Sequence, residues 1–143
     1  MQYKLILYLE IFLAGGFFGW IVDTASRSYN ASHFAPGTMV PFFSLIFAAA
    51  AVLLFILFSA RPIPFWFGVI LGTLICITLE LSCGFISQVV FNHRFWDYST
   101  KPYNFYGFID LRHSTYWFIL TLLYRSVVNR WVKKRVIQQI YVS

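Results

Sequence analysis

Long apolar stretches leave this chain few structures to adopt. The sequence contains four of them, over residues 5–22, 39–59, 65–88 and 114–131. A helix that crosses a membrane needs about 20 mainly apolar residues. None of the four stretches shows the in-and-out alternation of an outer-membrane barrel strand. The sequence therefore predicts an all-α membrane protein with four transmembrane helices.

The composition indicates that membrane-spanning segments occupy most of the chain. Hydrophobic residues make up 59% of the sequence and charged residues only 11%, whereas charged residues make up about 25% of a typical soluble domain. Four spans of about 20 residues each use most of the 143 positions,. We expect a single polytopic membrane domain over residues 1–143, with a basic tail over 132–143.

The distribution of cationic residues predicts the orientation in the membrane. Lysine and arginine concentrate on the cytoplasmic side of membrane proteins. Five such residues lie near the C-terminal end: Arg125, Arg130, Lys133, Lys134 and Arg135. That end is predicted to be cytoplasmic, and with four spans the N-terminus is cytoplasmic too. A topology anchor of this kind explains the net charge of +6, so no nucleic-acid partner is expected.

A polar and aromatic segment over residues 96–107 interrupts the apolar chain. Lipid cannot satisfy its polar groups, so it must lie at the interface or line a protein cavity. Asp97 can cap the N–H groups that follow it, and Ser99 and Asn104 favour tight turns. We expect a structured loop between the third and fourth helices. Structural capping and a lined binding site both explain this chemistry.

Glu80 lies deep in the third predicted span, ~22 Å from the start of the helix. An unpaired charge there costs about 3 kcal/mol or more, so Glu80 should be neutral, paired or facing a wet cavity. In a four-span arrangement it lies on the same side as the polar segment and the end of the first span. A structural polar pair is the alternative to a substrate or proton site. The predicted binding residues on that side are Asp23, Glu80, Arg94, Trp96, Asp97, Tyr98, Ser99 and Asn104.

No catalytic or metal-binding motif is recognisable. Four residues of one loop could in principle ligate a metal, but their spacing is not a recognised ligand set: His93, Asp97, Asp110 and His113. We predict no metal and no cofactor. A lipid-acting enzyme that uses Asp97, Glu80 or His93 as acid or base is the less favoured alternative. The sequence also lacks the Gly-rich phosphate loop of nucleotide-binding proteins, so any ATPase would be a separate chain.

Several short motifs carry a resemblance to one family. Trp96-Asp97-Tyr98-Ser99 is followed by Lys101-Pro102, Asn104, Gly107, Ile109, Leu111, Ser114 and Trp117. Upstream, Gly19-Trp20 precedes Asp23, and Leu79-Glu80 precedes Gly84. These motifs resemble those of the CmpB-like family of type IV ABC-transporter permeases, from about Gly19 to Trp117. Two departures stand out: Ala31-Ser32-His33 replaces the family's Asn-Arg-Gly, and Asp23 replaces its glutamate.

The resemblance implies a permease-like transport component of a bacterial cytoplasmic membrane. Glu80, Asp23 and the polar segment would then line the path of a substrate or ion. The implied partners are membrane lipids, a separate ATPase subunit and further copies of the chain, because four helices enclose little space. A structural or regulatory membrane protein that binds a partner helix is the alternative function.

Overall fold

All the elements of regular secondary structure in the described residues are helices. The computed structural model describes residues 2–38, 40–60, 62–128, 130 and 134. Its helices are α1 (Gln2–Ala31), α2 (Leu45–Ala60), α3 (Phe65–Phe91) and α4 (Leu111–Leu123), and a π-helix (Tyr124–Val128) follows α4 directly. Over the described residues there is no strand, only isolated bridges between Val40 and Phe43 and between Phe105 and Ile109. The prediction of an all-α chain is confirmed.

Two helices are long and apolar enough to cross a membrane. They cover Lys4–Ala31 and Phe65–Phe91, and each exceeds the length that a bilayer requires,. The apolar part of α2, Leu45–Ser59, is shorter. The four α-helices of the described chain correspond in order to the four predicted spans. Membrane crossing by each of the four helices stays a prediction.

Local backbone chemistry moves two helix starts away from the predicted span boundaries. The second helix begins at Leu45, later than predicted, because Phe42 has a φ of 62°, which an α-helix does not accommodate. The fourth begins at Leu111, earlier than predicted. The Asp110 carboxylate accepts a hydrogen bond from the His113 backbone N–H at 2.7 Å, and such a cap stabilises a helix start.

One sequence prediction falls on positions that the structure does not describe. The basic tail over 132–143 lies outside the described residues, apart from Lys134, which is helical and exposed.

The described chain divides into two compact units. The first comprises Met1–Leu53 with Ile86–Phe95, and the second comprises Leu54–Phe85 with Trp96–Ser143. Helices α2 and α3 each contribute residues to both. The predicted polar loop belongs to the second unit.

Close approach of α1 to α2 organises the first unit. A Cβ added to Gly15 would lie 2.5 Å from the Ala51 Cβ and 3.2 Å from the Phe47 carbonyl oxygen. One turn later, a Cβ on Gly19 would overlap the Phe47 side chain. Small residues four apart allow helix backbones to approach in this way. This pair of glycines therefore serves packing within the chain.

The second unit packs α3 against α4 and the end of α2. A Cβ on Gly72 would lie 2.8 Å from the Leu54 Cδ2 and 2.8 Å from the Thr121 Cγ2. Further along α3, a Cβ on Gly84 would lie 2.6 Å from ring atoms of Phe108, a loop residue that is only 2% exposed. The loop between α3 and α4 therefore contributes a core side chain.

We expect Gly15→Ala to destabilise the protein by about 1–3 kcal/mol, because the added methyl group overpacks the contact with Ala51. Helix propensity alone predicts the opposite sign, since alanine is favoured over glycine by about 1 kcal/mol. Unfolding of the detergent-purified variant measures the change. Ala14→Leu is the matched control, because Ala14 is exposed on the same helix. Equal or greater stability of Gly15→Ala would contradict this packing.

Candidate functional site

The Glu80 carboxyl is buried between α3, α4 and the loop that joins them. Glu80 is 6% exposed. Its Oε2 accepts a hydrogen bond from the Trp117 indole N–H at 2.5 Å, and its Oε1 lies 3.3 Å from the Tyr98 hydroxyl oxygen. Burying a carboxyl is tolerated when its oxygens are hydrogen-bonded. We call Glu80, Tyr98 and Trp117 together the Glu80 site.

Small polar groups extend the site along the contact between α3 and α4. Cys76 lies one turn before Glu80 and Thr121 one turn after Trp117, so each shares a helix face with its neighbour. Both are fully buried, and the Cys76 Sγ lies 4.0 Å from the Thr121 Oγ1. Both α3 and α4 therefore contribute small polar side chains to the interior near the Glu80 carboxyl.

The loop holds its shape through its own polar side chains. The Asp97 Oδ1 accepts from the Ser99 N–H at 2.9 Å. The Asn104 amide donates to the carbonyl oxygens of Ser99 at 3.1 Å and Lys101 at 2.8 Å, and its Oδ1 accepts from the Gly107 N–H at 3.1 Å. The predicted capping by Asp97 is confirmed, and Asn104 closes the turn as its residue type favours.

Hydrogen bonds at both ends of the loop place Tyr98. The Trp96 indole N–H donates to the Phe108 carbonyl oxygen at 2.9 Å, and the Tyr98 N–H donates to the Gly107 carbonyl oxygen at 2.8 Å. Gly107 has a φ of 73°, a left-handed conformation that glycine adopts without steric cost. The folded loop thereby presents the Tyr98 hydroxyl to Glu80.

A histidine–aspartate pair at the start of α4 supports the Tyr98 ring. The His113 imidazole stacks on that ring with centroids 3.8 Å apart and planes at 14°. The His113 Nδ1 lies 2.8 Å from the Asp110 Oδ1, and Asp110 is 2% exposed. Its Oδ2 is buried without a hydrogen-bond partner among the described residues. This pair orients the imidazole and, through stacking, the tyrosine.

Only part of the predicted set meets at Glu80. From the loop, the hydrogen bond to its carboxyl comes from Tyr98, whereas Asp97 is exposed and caps the turn. Asp23, half-buried on α1, belongs to the first unit. So does Arg94, which is exposed and donates from Nε to the Gln88 Oε1 at 3.0 Å. Ser99, Asn104 and Trp96 build the loop.

Sequence reasoning missed the contribution of α4. Asp110, His113, Trp117 and Thr121 follow one another at three- or four-residue spacing, which places them on one helix face. That spacing could have identified the polar face of α4. Nothing local in the sequence pairs that face with Glu80.

The four residues weighed as metal ligands do not come together. Over the described residues, no group of three or more His, Cys, Asp and Glu side chains could hold a metal ion. Asp110 and His113 pair with each other. His93, in the first unit, packs its ring against Phe95 with centroids 5.5 Å apart.

The fold and the site define a class: a helical protein with long apolar helices and a buried, hydrogen-bonded carboxyl among them. Residues 10–142 match a family model described as "Putative ABC-transporter type IV". The chain therefore belongs to this CmpB-like family, as its motifs predicted, and the family name indicates a transport-related membrane component. No curated protein and no solved structure matches the chain.

We expect Trp117→Phe to lower the free energy of unfolding by about 2 kcal/mol, because the Glu80 Oε2 loses an N–H donor while the aromatic ring is retained. Chemical unfolding in detergent measures the change. Trp66→Phe is the matched control, since Trp66 is 62% exposed on α3. Equal losses in the two variants would show that the indole hydrogen bond contributes nothing specific.

Proposed function

We propose that the chain is a four-span, permease-like subunit of a transport system whose ATPase is a separate chain. Its family membership supports a transport-related role. One observation carries the proposal further: Glu80 is buried in the middle of an apolar helix that is long enough to cross a membrane. Ionisable residues in such helices are costly, and they mark substrate and ion pathways.

The polar groups around Glu80 define what this pathway accepts. A carboxyl, a hydroxyl and an indole N–H bind protons, cations or hydrogen-bond donors rather than bulky apolar molecules. The exposed side chains of Asp97 and Ser99 would meet the substrate first, and Trp96 and Asn104 would keep the loop in shape. Asp23 and Arg94, which belong to the first unit, are proposed as further binding residues.

The proposed topology follows the charge distribution. All four α-helices cross a bacterial cytoplasmic membrane, both termini are cytoplasmic, and the loop between α3 and α4 lies outside. Several copies of the chain would associate, since one set of four helices encloses little space. The ATPase would bind on the cytoplasmic side, near the connection between α2 and α3 or the basic tail.

Cysteine labelling tests this topology. With Cys76 and Cys83 replaced by alanine, a membrane-impermeant maleimide is expected to label Thr100→Cys in intact cells and Pro62→Cys only after permeabilisation. Both positions are exposed, in the two connections that flank α3. Labelling of both positions from one side would contradict a spanning α3. The reverse pattern would retain the spans and invert the orientation.

Co-purification tests the transport function. A tagged chain isolated from its native membranes in mild detergent is expected to retain a second polypeptide with vanadate-sensitive ATP hydrolysis. The proposal assigns that activity to the partner, since no Gly-rich phosphate loop is recognisable in this sequence,. An untagged chain carried through the same steps is the control. Purification without any ATPase would remove the support for ABC-type transport, and a stable partner that is not an ATPase would favour a structural or regulatory role.

A further inference from the structure

Trp117 and Tyr98 differ in the hydrogen bonds that they can form with Glu80. The indole N–H of Trp117 can only donate, so the Glu80 Oε2 accepts whether or not the carboxyl is charged,. The Tyr98 hydroxyl can donate or accept. The Glu80 Oε1 can therefore accept from Tyr98 as a carboxylate, or donate to it as a carboxylic acid. Both hydrogen bonds persist in either charge state.

We infer that Glu80 takes up and releases a proton, and that this proton is the ion that the site handles. The inference rests on the proposed transport function. On uptake, a proton from water bonds to Oε1, the carboxylate becomes a carboxylic acid, and the charge of the site rises by one unit. On release, the O–H bond breaks and the proton returns to water. No oxidant, reductant or metal takes part.

Opposing effects at the site favour exchange between the two states. Burial of Glu80 disfavours the carboxylate,. The Trp117 N–H and the Tyr98 O–H stabilise the same carboxylate by donating to it,.

Titratable groups on α3, on the loop and on α4 adjoin the site. Cys76 and Cys83 lie on the same helix as Glu80 and interact with it electrostatically, but thiols are uncharged near neutral pH. The loop supplies Tyr98, which is a neutral phenol there. From α4, the His113 imidazole stacks on the Tyr98 ring. The Nδ1 of that imidazole lies 2.8 Å from the Asp110 Oδ1.

Tyr98 also provides a route to water and a link to the loop. The Tyr98 side chain is half-buried, and that of His113 is 21% exposed, so this edge of the site is near solvent. When Glu80 is protonated, its O–H donates to the Tyr98 oxygen. The Tyr98 O–H then no longer donates to Glu80 and can donate a hydrogen bond to a different acceptor. Because the Tyr98 backbone is bonded to Gly107, a change at Glu80 is transmitted to the loop.

Infrared difference spectroscopy across a pH series, on the purified chain in lipid nanodiscs, tests the inference. Wild type is expected to show a protonated-carboxyl C=O band that grows as the pH falls. Glu80→Gln should lose the Glu80 component of this band, seen as the difference between wild type and variant, and should remain folded, because the amide can accept from Trp117 and donate to Tyr98. Glu10→Gln should retain it, since Glu10 is an exposed glutamate on α1.

Tyr98→Phe provides a second variant that does not remove the carboxyl. The ring and its stacking on His113 are retained, while the acid O–H loses its acceptor. We expect the band to move to higher frequency. The proton affinity should rise by up to about tenfold, because the hydrogen bond to the carboxylate is stronger than the one to the acid. An unchanged Glu80 band in Tyr98→Phe, or no carboxyl band in the difference between wild type and Glu80→Gln, would overturn the inference.

The measurement separates this inference from the transport proposal, because it uses neither an ATPase nor a substrate. A Glu80 band in a chain that purifies without an ATPase would support the proton site and count against ABC-type transport. An associated ATPase together with no Glu80 band at any pH would support the transport proposal and overturn the proton site.

Discussion

The hydrogen bonding of the Glu80 carboxyl is the constraint on which the second unit depends. A buried carboxyl must find hydrogen-bond donors within the protein, because burying a polar group without them is costly. Trp117 supplies one donor from α4, and Tyr98 supplies the other from the loop. To form both hydrogen bonds, α4 must turn the face that carries Trp117 towards α3, and the loop must bring Tyr98 to Glu80. Packing of Gly72 against Thr121 and Leu54 then occurs along the same contact.

The loop between α3 and α4 is both a structural element and part of the site. Phe108 fills the core beside Gly84, and Asn104 ties the turn through three hydrogen bonds. These contacts position Tyr98. Its backbone N–H donates to the Gly107 carbonyl oxygen, and its hydroxyl lies next to the Glu80 carboxyl. Capping and lining a site were alternative explanations of the polar sequence. The folded loop confirms the capping, and the lined binding site stays a prediction.

The family assignment and the site give complementary support for a transport role. Membership of the CmpB-like family places the chain with transport-related membrane components. The site adds a specific chemistry, since a carboxyl that keeps both hydrogen bonds in either charge state suits proton exchange. The proton inference rests on the transport proposal, but separate measurements test the two.

The sequence by itself determined the helices and the local turns. Apolar stretches longer than a strand requires predicted α-helices, and Asp97 was placed as a cap because its partner, Ser99, lies two residues away. The pairing of Trp117 with Glu80 spans 37 positions, and no local pattern encodes it. Only tertiary packing decided which aromatic residue reached the carboxyl, because that choice depends on how the faces of α3 and α4 turn towards each other.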